Sequence, residues 1–131
     1  MVIVFKIFAA MGDCIYEGTV EKFSLGRSTG LTTRNWKTRH MRLTRSTLAY
    51  MDKPGAAPKL EVPINAISLV FSQPTKAEHE EADPTKPMLC VRIFENGVFN
   101  LLMKIPSEGE KAKWLAGFRE ALATNKGVQF V

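Results

Sequence analysis

RNWKTRHMRL, residues Arg34 to Leu43, has the look of a β-strand and too much charge for one. Four of its ten residues are Arg or Lys, and His40 sits among them. Alternation resolves the conflict, because successive side chains of a strand point to opposite faces. Lys37, Arg39, Met41 and Leu43 share one face, which begins charged and ends apolar. That order fits a strand entering a barrel from its mouth, with charge at the rim and apolar groups inside. His40 and Arg42 fall on the other face, where they serve at most a diffuse attraction, and Arg34 precedes the strand.

The flanking segments repeat the order. Upstream, Gly18, Val20 and Lys22 share a face with the cation at its exit end; downstream, Leu48 then Tyr50 run back toward the mouth. A hairpin between the first two strands brings Lys22 near Lys37 and Arg39. Three cations and a phenol hydroxyl then converge on one cavity, where the like charges repel unless a counter-ion arrives. A phosphate suits this set. Arg39 offers a bidentate grip, Lys22 and Lys37 are point charges, and Tyr50 donates a hydrogen bond.

Turn chemistry recurs every eight to fifteen residues and separates seven expected strands: Ile15–Phe23, Trp36–Leu43, Thr47–Asp52, Lys59–Val62, Ile67–Ser72, Met88–Glu95 and Val98–Ile105. Asn96-Gly97 marks a tight hairpin between the last two. Gln73–Pro87, with Pro74, Pro84, Pro87 and four acids, reads as a long surface loop directed away from the basic surface. Ser107-Glu108-Gly109-Glu110 reads as a capping box opening a helix. Trp114, Leu115, Phe118, Ala121 and Leu122 form its apolar stripe, and Gly127 is placed to end it.

Seven strands followed by one helix with a central Trp resemble the pleckstrin homology (PH) domain. EGTVEKFS at Glu17–Ser24 is similar to the family's first strand, NWKTRHMRL to its second, TLAYMDK to its third and KWLAGFREAL to its helix. The resemblance implies a mostly β, PH-like seven-stranded rolled β-sandwich or barrel capped by one C-terminal α-helix. Its expected extent is residues 15–126, after an apolar extension at 1–14 and before a tail at 127–131. It further implies recognition of a phosphorylated lipid headgroup through Lys22, Lys37, Arg39 and Tyr50. Fourteen residues separate Lys22 from Lys37, a longer interval than is usual in strongly phosphoinositide-binding members. The intervening SLGRSTGLTTRN reads as a loop whose Leu25, Arg27, Leu31 and Arg34 suit a membrane interface, apolar tips entering and basic flanks meeting phosphates.

Charge distribution points the same way. The formal net charge is +5, but the window Lys22–Lys53 alone carries +7, with Asp52 its single acid. Such a footprint suits a polyanion. An anionic phospholipid surface fits better than nucleic acid, since the aromatics are not interleaved with the basic residues as a stacking platform requires. The partner classes carried forward are therefore an anionic membrane, presenting a phosphoinositide or phosphatidic acid, and a protein bound by a PH-fold scaffold. The expected location is cytoplasmic and peripheral to a membrane. Neither His40 nor His79 has a nucleophile or acid at catalytic spacing, so no enzyme is expected, and no cofactor or metal motif appears. Cys14 and Cys90 read as free thiols, Cys90 within the core. The apolar MVIVFKIFAA is too short to span a bilayer as a helix, and suits an added strand or an appended segment. Met11-Gly12-Asp13-Cys14 would suit dual acylation only if translation began at Met11, and Tyr16 stands where Ser or Thr is preferred.

Overall fold

The computed structural model describes residues 14–28, 31–123 and 128–131, with the backbone alone for 24–28 and 31–35. Among them the strands are β1 (Cys14–Ser28), β2 (Leu31–Thr44), β3 (Thr47–Met51), β4 (Leu60–Pro63), β5 (Ile67–Phe71), β6 (Met88–Phe94), β7 (Val98–Lys104) and β8 (Gln129–Phe130). The helix α1 spans Glu108–Ala121. All eight strands belong to one sheet, in the order β4-β3-β2-β1-β7-β6-β5-β8. The expected seven strands are present, five of them within one residue of their expected bounds and the first two longer at the hairpin between them. The eighth lies in the C-terminal tail and pairs parallel with β5, Val70 opposite Phe130. The apolar extension falls almost wholly outside the described residues, as does Gly127.

The β1–β2 hairpin departs from the sequence reading. SLGRSTGLTTRN is not a loop: β1 continues to Ser28 and β2 starts at Leu31, with Ser28 opposite Leu31 and Leu25 opposite Arg34. The ladder can continue because Thr32 and Thr33 are β-branched and favour strand geometry. The side chains of Leu25, Arg27, Leu31 and Arg34 lie outside the described residues.

Inside, the alternation holds as read. Val20, Met41, Leu43 and Leu48 are buried, and they share the core with Val62, Val70, Leu89 and Val91. The helix closes one end of this core. Ser107 accepts the Glu110 amide through its Oγ at 3.1 Å, as an N-cap should. Glu110 directs its carboxylate to the Tyr16 hydroxyl, tying the first helical turn to β1. Trp114 and Phe118 have no exposed surface. Tyr16 meets Trp114 edge to face, ring centroids 4.7 Å apart. Gly117 allows the close crossing, since a Cβ there would lie 3.4 Å from Ile15, Tyr16 and Leu43 side-chain atoms.

The acidic segment 73–87 does more than cover the surface. It folds in turns over the outer face of the sheet, where the Asn100 amide donates to the Glu78 carbonyl at 2.8 Å. Beneath it a second small core joins Phe71, Ala82, Met88, Cys90 and Leu102, with Phe23 and Trp36 packed alongside. At the β6–β7 turn Asn96 and Gly97 have φ of 53° and 116°, the left-handed geometry that a tight hairpin requires.

Trp114→Ala should destabilise the domain by about 3–5 kcal/mol, read by chemical denaturation, because it empties the seat of the helix. Burial, reinforced by the Glu110 carboxylate, raises the Tyr16 phenol to about 12. A folded-state value above the ordinary one favours the folded state while the phenol is protonated. That advantage is lost as pH rises from about 10 through 12. Burial pushes the Cys90 thiol up to about 12 as well, so its loss begins near 9. Tyr16→Phe should therefore flatten, without abolishing, the fall in melting temperature at alkaline pH.

Candidate functional site

Residues on the inner face pass from core to charge within one strand step. Beyond Val20 comes Lys22, which stands directly opposite Lys37 in the β1–β2 ladder. Beyond Met41, counting back toward the hairpin, come Arg39 and Lys37. Tyr50 is opposite Met41 on β3. The four residues singled out in the sequence thus share one face at one end of the strands.

Lys22 leans toward Tyr50. Its Nζ donates to the Tyr50 hydroxyl at 2.8 Å and lies 4.4 Å from the ring centroid. The contact holds the lysine tip by a hydrogen bond and by attraction to the ring face. Because the phenol oxygen accepts here, its own proton remains available to another acceptor. Lys37 is exposed and makes no ion pair among the described residues.

Arg39 differs from the sequence reading. Its guanidinium is mostly covered, with side-chain exposure of 16%. Nη1 donates to the Thr38 carbonyl at 2.9 Å and lies 3.4 Å from Asp52 Oδ1. Nε is buried with no partner among the described residues. Arg39 is therefore already engaged rather than held open as a free fork.

Asp52 also pairs with Lys59, Nζ to Oδ2 at 3.6 Å. Neither Asp52 nor Lys59 was expected at the mouth. A signal for Asp52 exists in the sequence: it lies two residues past Tyr50, and so on the same face. Lys59 carries no such signal. It arrives because the β3–β4 turn folds back, the Lys59 amide donating to the Tyr50 carbonyl at 2.8 Å.

On the outer face of the same strands two carboxylates meet basic side chains. His40 Nε2 is 2.7 Å from Glu17 Oε1, and Lys104 is 3.9 Å from Glu21. Trp36 is enclosed by Phe23, edge to face at 5.4 Å, and by the Lys104 ammonium 4.4 Å from its ring centroid. The acidic segment covers this side, with His79 against Phe23 at 5.2 Å. Basic excess is thereby segregated to the inner mouth, as the direction expected for the acidic segment implies. Arg42 and His40 line an outer groove of about 290 Å³ together with Glu17 and Glu61.

The PH domain family model matches residues 14–123. The chain belongs to the PH domain family. Among solved structures, this PH domain is similar to the C-terminal PH domain of pleckstrin in complex with an inositol pentakisphosphate. Identity is 19%, the TM-score is 0.58, and the match covers 82% of this chain and 94% of that one. A Slm1 PH domain in complex with D-myo-inositol 4-phosphate matches at 16% identity and TM-score 0.57, over 82% and 94% of the two chains. A further PH domain solved in solution reaches a TM-score of 0.63 at 13% identity, over 87% and 89%. No curated protein matches the sequence.

The hydrogen bond from His40 is the first cause that holds the Glu17 carboxyl below its ordinary value. A lowered carboxyl contributes stability above about 4.5, its unfolded value, and loses it as pH falls through the folded one. Glu17→Gln should make thermal stability less sensitive to acid in that range while leaving the mouth intact, as read by melting curves across acid pH.

Proposed function

We propose that this PH domain is a membrane-targeting module that binds the phosphorylated headgroup of an anionic phospholipid, a phosphoinositide or phosphatidic acid. Lys22, Lys37 and Arg39 neutralise the phosphate, and Tyr50 donates to it. The observation that carries this reading is the separation of charge by face. On the outer face His40 lies against Glu17 and Lys104 against Glu21, whereas Lys22, Lys37, Arg39 and Lys59 crowd one mouth with Asp52 as the carboxylate paired there. Unbalanced cations on a rigid ladder favour an incoming dianion over water. Inositol phosphates bound to the pleckstrin and Slm1 PH domains support the same class of ligand.

Membrane attachment is peripheral and cytoplasmic in this reading. No helix among the described residues is long and apolar enough to cross a membrane. Leu25, Arg27, Leu31 and Arg34, on the distal part of the hairpin, are the proposed membrane-contact residues. In this reading the module binds rather than catalyses.

Vesicle sedimentation with and without anionic lipid tests the reading. Each mouth cation contributes on the order of 1 kcal/mol, so Lys37→Ala/Arg39→Ala should weaken binding roughly 20- to 30-fold. Binding should also fall with salt. Unchanged binding by the folded double variant would remove the shaped pocket. A protein partner retained by the same variant would favour a scaffold role.

A further inference from the structure

Asp52 sits where a ligand phosphate would be expected to sit. Each carboxylate oxygen faces a different cation, Oδ1 toward Arg39 at 3.4 Å and Oδ2 toward Lys59 at 3.6 Å. The register accounts for the placement: His40 is opposite Met51, so the ladder carried one step on sets Arg39 against Asp52. Asp52 itself is exposed, its side chain 57% accessible, and it follows the last residue of β3 at the edge of a turn. It can swing away without disturbing the core. Arg39 cannot follow, being largely covered and bonded to the Thr38 carbonyl.

We propose that Asp52 is an internal counter-ion that occupies the mouth of the unliganded domain and sets its affinity for phosphate monoesters. This rests on the headgroup reading above and adds a competitor to it. A phosphate that reaches Arg39 must displace the carboxylate or lie beside it, and like charge opposes the second course. Displacement releases two cations together, so Lys59 joins Lys22, Lys37 and Arg39 as a ligand-binding residue. A ligand with one weakly charged phosphodiester gains little over Asp52, whereas a phosphate monoester brings more charge and more acceptor oxygens. The carboxylate therefore acts as a threshold against singly charged headgroups.

The test measures inositol hexakisphosphate by calorimetry, and vesicles of phosphatidylcholine carrying either a phosphatidylinositol phosphate or phosphatidylserine by sedimentation. Asp52→Asn should tighten binding to the phosphomonoester probes about two- to fivefold, the range for removing one partly exposed ion pair. The gain on phosphatidylserine vesicles should be smaller. Glu61→Gln, which changes net charge equally on the outer face, should give no comparable gain. In an Arg39→Met background the gain from Asp52→Asn should shrink, and with Lys59→Met added it should vanish. A gain with the soluble probe alone identifies a free inositol phosphate as ligand, and one with vesicles alone a lipid; either supports the counter-ion. A gain that survives Arg39→Met with Lys59→Met, or that Glu61→Gln reproduces, overturns it in favour of diffuse charge. If the wild type binds, Lys37→Ala/Arg39→Ala does not, and Asp52→Asn matches the wild type, this inference fails alone. If the wild type binds no probe, the headgroup reading fails and takes this inference with it.

Discussion

A slip of one residue between β1 and β2 would turn Met41 and Leu43 toward solvent and carry His40 and Arg42 into the core. That penalty makes the β1–β2 register the constraint on which the rest of the molecule depends. It runs from Cys14 opposite Thr44 to Ser28 opposite Leu31, with one irregularity near Tyr16. Once it is set, the helix finds an apolar seat for Trp114 and Phe118. The cations of the inner face are brought to one end of the strands by the same pairing.

Two cores follow from one sheet. The larger lies on the inner face beneath α1, and the smaller lies on the outer face beneath residues 73–87. Trp36 belongs to the smaller core although it stands next in sequence to Lys37, because neighbours on a strand face opposite ways. Acids of the outer face then meet basic side chains that alternation sends there, Glu17 with His40 and Glu21 with Lys104.

The strand pattern, the Asn96-Gly97 turn and the helix cap were all legible in the chain, since each rests on contacts between residues near in sequence or on a strict period. The inner-face set Lys22, Lys37, Arg39 and Tyr50 was legible for the same reason. The length of the β1–β2 hairpin was not, because Ser, Gly and Thr between Phe23 and Trp36 carry turn and strand signals together. Nor was β8, whose two residues are ordered by pairing with β5 rather than by any pattern of their own.

Parity along each strand, and hence which side chains face the core and which the solvent, was determined by the sequence alone, because the period of two is a property of the backbone. Asp52 is the instructive boundary. Its face follows from its distance to Tyr50, but its partners do not. Only the tertiary structure decided that it meets Arg39 across the β2–β3 ladder and Lys59 around a turn. Ion pairing depends on distances of a few ångströms between residues from different strands, and such distances are set by how the sheet is assembled.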